Sequence, residues 1–121
     1  MAKEELKVKL EGIVERILNA KRDLLKLHAD KLTLKEMMDV ITKKEISRIV
    51  GVTDPASGKA VYSNQDKRDA ELLIFKTTDA NYIALKDDVT KIDNMIDQVG
   101  IELDGLKYSF QVEEIISRDN A

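Results

Sequence analysis

Apolar residues in the two halves of this 121-residue chain recur in matched heptad patterns that run toward each other. On the first arm Leu6, Leu10, Ile13, Ile17, Ala20, Leu24, Leu27, Leu34, Met38 and Ile41 alternate steps of four and three, with Lys31 standing at one seam position. On the second arm Tyr82, Leu85, Val89, Ile92, Ile96, Val99, Leu103, Leu106 and Phe110 follow the same rule. A repeat averaging about 3.5 residues keeps one stripe of a helix turned toward a partner along its whole length. Folded at Gly58, the arms bring Leu6 level with Phe110, Leu10 with Leu106, Ile13 with Leu103, Ile17 with Val99 and Leu24 with Ile92. The pattern predicts a mainly all-α chain: a long antiparallel helical hairpin, or coiled coil, with a small β-hairpin at the connection, forming one domain over 1–121.

Local signals divide that hairpin further. Residues 4 to about 48 read as one helix, with Glu4 and Glu5 placed to favour its N-terminal dipole. The stem of Lys31 packs in the seam while its ammonium reaches for water. From Ile49 to Tyr62 the period changes. Two β-prone stretches, Ile49–Thr53 and Lys59–Tyr62, flank Asp54-Pro55-Ala56-Ser57-Gly58. Asp and Pro suit the opening of a type I turn, and Gly supplies a positive φ, so a β-hairpin is expected over about 49–62. Ser63 and Asn64 can each cap a short helix over about 64–76. Thr77-Thr78-Asp79-Ala80-Asn81 then marks a break before a long helix over about 80–117. Leu72–Thr77 also suits a strand, so that segment stays open between helix and strand.

Composition narrows the function classes. With no cysteine, the chain has no disulfide, no thiolate catalysis and no cysteine-based zinc site, and it fits a reducing compartment. The first residues hold no apolar signal core, and the longest apolar run, Leu72–Phe75, is far short of a membrane span. A soluble, cytoplasmic protein with no membrane partner is expected. Residues 1–50 hold 12 Lys/Arg against 9 Asp/Glu, whereas residues 51–121 hold 8 against 14, so the two arms attract one another. The overall acidity disfavours a sequence-independent grip on nucleic acid, which relies on neutralising phosphates.

Chemistry-bearing residues are sparse. His28 is the single histidine and has no carboxylate cluster at ligand spacing beside it. Asp93 and Asp97 share a helix face but lie outside the seam, which reads as a solvated acidic surface and not as a metal site. Gly58-Lys59 lacks the spacing of a phosphate loop. No catalytic residue, cofactor or metal is assigned, and the chain is read as no enzyme. Lys43, Lys44, Arg48, Lys59, Lys67 and Arg68 could form a basic patch at the hairpin tip, with Tyr62 as a lone stacking surface for a single strand. Asn64 and Arg68 share a face at a helix start, where a cap and a guanidinium tied to hairpin carbonyls is the structural role and partner recognition the functional one.

The segment running Gly58-Lys59-Ala60-Val61-Tyr62-Ser63-Asn64, then Arg68-Asp69-Ala70-Glu71-Leu72, Asp79-Ala80-Asn81-Tyr82 and Leu106-Lys107-Tyr108-Ser109-Phe110, resembles small phage- and prophage-type coiled-coil proteins. The likeness spans residues 49 to about 112; the first helix shares only its periodicity. Thr77-Thr78 and Ala80 depart from the family pattern, which more often has a charged stretch and a proline there. The resemblance implies a setting near annealing recombinases and single-strand binding proteins, and it singles out Lys59, Tyr62, Asn64 and Arg68. Two long helices around β-hairpin material are also similar to the smaller subunit type of archaeal prefoldin, which implies a chaperone holdase joined through its hairpins.

The resulting expectation is an oligomeric interaction or assembly protein, phage- or prophage-type and an accessory to DNA recombination, whose protein partner the chain does not name. The alternatives are a prefoldin-like holdase and a small single-stranded nucleic-acid-binding accessory. A homo-oligomer is expected because Val14, Leu18, Leu25 and Leu32 form a second apolar stripe on the first helix, while Met95, Ile101 and Ile115 lie outside the seam of the last.

Overall fold

The structure, a computed structural model, describes residues 2–119. Three helices make up nearly all of it: α1 (Ala2–Gly51), α2 (Gln65–Thr78) and α3 (Ala80–Asp119), and no β-strand forms among the described residues. The chain is all-α, and where the first part of α1 lies against the last part of α3 the two run antiparallel. Contacts group it into two compact units, one of the residues up to Asp30 together with those from Ile92 onward, the other of Lys31–Lys91.

In the first unit the shielded positions are those of the heptad seam. Leu6, Leu10, Ile13, Ile17, Leu24 and Leu27 are half-buried and Ala20 is buried, while the residues between them are exposed. On α3, Ile92, Ile96, Val99, Leu106 and Phe110 are half-buried and Leu103 is buried, and Asp93 and Gly100 beside the seam are half-buried too. The seam runs on through Glu113 and Ser117, two polar positions that the apolar pattern does not mark.

The register differs from the expected one. A fold at Gly58 would set Lys9 level with Lys107, but the Lys9 ammonium lies 3.5 Å from the Glu113 carboxylate. A groove lined by Leu6, Leu10, Glu113, Ile116 and Ser117 carries the same offset to the end of the unit. The arms are therefore slipped by about one heptad, which sets Ile17 near Leu106 and Ala20 near Leu103 in place of Val99 and Ile96. A heptad seam repeats every seven residues, so apolar spacing alone fits either register. The Lys9–Glu113 pair is specific to the slipped one, which also avoids setting Lys9 beside Lys107.

In the second unit the expected β-hairpin over 49–62 is not formed. Ile49 is 1% exposed, the most buried apolar side chain described, and its burial carries α1 three residues past the expected end, so Ile49–Gly51 is helical. Only one antiparallel bridge, Thr53 with Ala60, survives of the two strands. The turn between them is built from the residues that suggested it. Asp54 accepts from the Ala56 N–H through its side chain at 2.9 Å and from the Gly58 N–H through its carbonyl at 2.7 Å. Gly58 has φ of 69°, a conformation in which a side chain is strained.

Leu72–Thr77 lies inside α2 and is helical, so the strand reading of that segment is overturned, and with it the hairpin pairing that the prefoldin likeness requires. Aromatic packing spans the α2–α3 break: the Phe75 and Tyr82 rings sit 6.2 Å apart, inclined at 56°. Just before the break, Thr77 and Thr78 donate their hydroxyls back to the carbonyls of Leu73 and Ile74. Asp79 then adopts extended backbone (ψ 120°).

Candidate interaction surfaces

Two places bring together the residues that could meet a partner. The first is the connection between α1 and α2. Asn64, not Ser63, caps α2, its side chain accepting from the Lys67 N–H at 2.9 Å. Arg68, four residues on, donates from Nε to the Tyr62 carbonyl at 3.1 Å and so ties the loop to the first turn of α2. Tyr62 is half-buried and Lys59 exposed. These four residues thus share one loop-to-helix junction, with Asn64 and Arg68 committed to holding it.

Beside them stands a charged cluster that sequence reasoning did not single out. Arg48 donates to Glu45 from Nε at 2.9 Å and from Nη2 at 2.6 Å, and the same Nη2 lies 3.6 Å from Glu71 of α2. Glu45 is buried, and the hydrogen bonds its carboxylate accepts, with its charge and that of Glu71, hold the Arg48 guanidinium above its ordinary pKa. The signal was present in the spacing: Glu45 continues the seam one heptad after Met38, and Arg48 follows at i+3. Three of the six basic residues that could form a patch at the tip are engaged locally. Arg48 answers Glu45 and Glu71, Arg68 answers a carbonyl, and Lys43 pairs with Asp39 at 2.9 Å.

The second place is the outer faces of the first unit. On α1, Leu18 and Leu25 are 48% and 72% exposed, with Val14 likewise exposed. On α3, Ile101, Tyr108 and Ile115 are exposed at 73%, 69% and 55%, and Met95 is exposed beside them. Tyr108, part of the terminal Leu106–Phe110 motif, also completes a strict heptad with Ile101 and Ile115 that is visible in the spacing.

Among the described residues no group of three or more His, Cys, Asp or Glu side chains could hold a metal ion. No helix among them is long and apolar enough to cross a membrane. Every buried side-chain nitrogen or oxygen among them has a hydrogen-bond partner. Compared with known proteins, the chain matches no family model, no curated protein and no solved structure.

Proposed function

We propose that this protein is a non-enzymatic assembly module that associates with further copies of itself through apolar stripes outside its main seam, in a phage or prophage setting as an accessory to DNA recombination. The observation that carries the assembly reading is the exposed stripe on the first unit's part of α1, where Leu18 and Leu25 stand one heptad apart with 48% and 72% exposure. A single exposed leucine needs no explanation, but a row of them at constant azimuth marks a surface that another helix covers. Each such leucine contributes about 1.5–3 kcal/mol when fully buried. The recombination setting is supported by the sequence likeness of residues 49 to about 112, and the loop-to-helix junction of Lys59, Tyr62, Asn64 and Arg68 is the face proposed to serve it.

The assembly reading is tested by light scattering across the micromolar range. The wild type should run as an oligomer, and Leu18→Glu with Leu25→Glu should bring it to the mass of one chain with its helix content unchanged. A wild type that stays monomeric throughout that range refutes the reading.

A further inference from the structure

We infer that the assembly is heterologous: the α1 stripe of one copy packs on the α3 stripe of another, not on the α1 stripe of its twin. This rests on the assembly reading above and names its geometry. Both stripes keep a strict seven-residue step, Leu18 to Leu25 on one helix and Ile101 to Tyr108 to Ile115 on the other. Matching periods let two helices stay in contact over several turns, as they do along the main seam. The Ile101 stripe stands on the side of α3 remote from its seam positions, so α1 of the same unit leaves it exposed.

Charge decides which stripe takes which. Between Leu18 and Leu25, one helical turn from each, stand Lys21 and Arg22. Of the two corresponding places between Ile101 and Tyr108, Asp104 fills one and Gly105 the other, and Asp97 stands one turn before Ile101 as Glu15 stands one turn before Leu18. An α1-on-α1 pairing sets Lys21 and Arg22 against their own copies, and an α3-on-α3 pairing sets Asp97 and Asp104 against theirs. The crossed pairing is the one that opposes bases to acids at the rim of an apolar strip, where charge selects partner and register. The crossed contact uses a different face on each copy, so each bound copy still offers a face, and growth ends only if the ring closes.

The test is complementation. One variant carries Leu18→Glu and Leu25→Glu, the other Ile101→Glu and Tyr108→Glu; all four positions are exposed, and circular dichroism checks that both stay helical. Each variant alone should be monomeric by light scattering. Mixed in equal amounts, they retain one intact face each and should form a 1:1 dimer that grows no further. A wild type that is oligomeric while the α3 variant keeps its full mass, or while the mixture stays monomeric, overturns the crossed geometry and leaves the assembly reading standing. A monomeric wild type overturns both. As a second measurement, Lys21→Glu with Arg22→Glu should weaken association about tenfold, as should Asp97→Lys with Asp104→Lys. All four changes on one chain should restore it to within about threefold, and failure of that rescue counts against the pairing.

Discussion

The Tyr82 backbone N–H donates to the Asp79 side chain at 2.9 Å, while the Asp79 N–H closes the last turn of α2 on the Phe75 carbonyl at 2.8 Å. One residue therefore ends α2 and caps α3, and no loop separates them. Replacing Asp79 by Ala removes the acceptor for an otherwise unpartnered first-turn donor and should cost about 1 kcal/mol, read as a lower urea midpoint. Asp79→Asn keeps the side-chain oxygen and should retain most of that stability. An Asn variant as unstable as the Ala variant would assign the effect to charge and not to capping.

Arg48 joins a buried carboxylate on its own helix to Glu71 on the next. Removing the guanidinium leaves Glu45 shielded from water without its partner, which is costlier than losing an exposed ion pair. Arg48→Gln should therefore lower the urea midpoint. Glu45→Leu in the same chain should restore or raise it, because position 45 continues the apolar seam from Met38 and Ile41. A double-mutant cycle checks this: additive effects of the two changes would show that Arg48 and Glu45 do not act together.

Most of the helical plan was legible because burial follows period. Every seam position from Leu6 to Ile41, Lys31 included, is the shielded one on its turn. What was not legible has two physical causes. A heptad pattern is unchanged by a shift of seven, so it could not choose between a partner near Val99 and one near Leu106 for Ile17; a pair such as Lys9 with Glu113 chooses, and a single pair is invisible in periodicity. At the tip, Ile49-Val50-Gly51-Val52-Thr53 has the composition of a strand, but burying Ile49 outweighs local preference, and the helix runs on. The junction residues were readable from turn and cap chemistry. Glu71 was not, since its partner stands 23 residues away on another helix.

Gly58 carries a positive φ of 69° with no neighbouring atom within 4 Å of where a Cβ would stand. The cost of a side chain there is conformational alone. Gly58→Ala should destabilise the protein by about 1 kcal/mol, and Gly58→Asn by less, since Asn tolerates the left-handed region. Thermal melts of the three proteins order them. An Ala variant as stable as the wild type would mean the turn adopts another conformation at no cost.

The slipped register makes a prediction that chemistry can read directly, because the chain has no cysteine of its own. A disulfide needs Cβ atoms about 3.5–4.5 Å apart, whereas a one-heptad shift moves a residue about 10 Å along its helix. Cysteines at Ile17 and Leu106 should therefore oxidise to an intramolecular cross-link that speeds migration on a non-reducing gel. Cysteines at Ile17 and Val99 should remain reduced under the same mild conditions. Dilute protein keeps links between copies from competing, and a reducing lane confirms the bond. Efficient closure of 17 with 99 in place of 106 would restore the fold at Gly58 and leave the 3.5 Å contact of Lys9 with Glu113 without a register to support it.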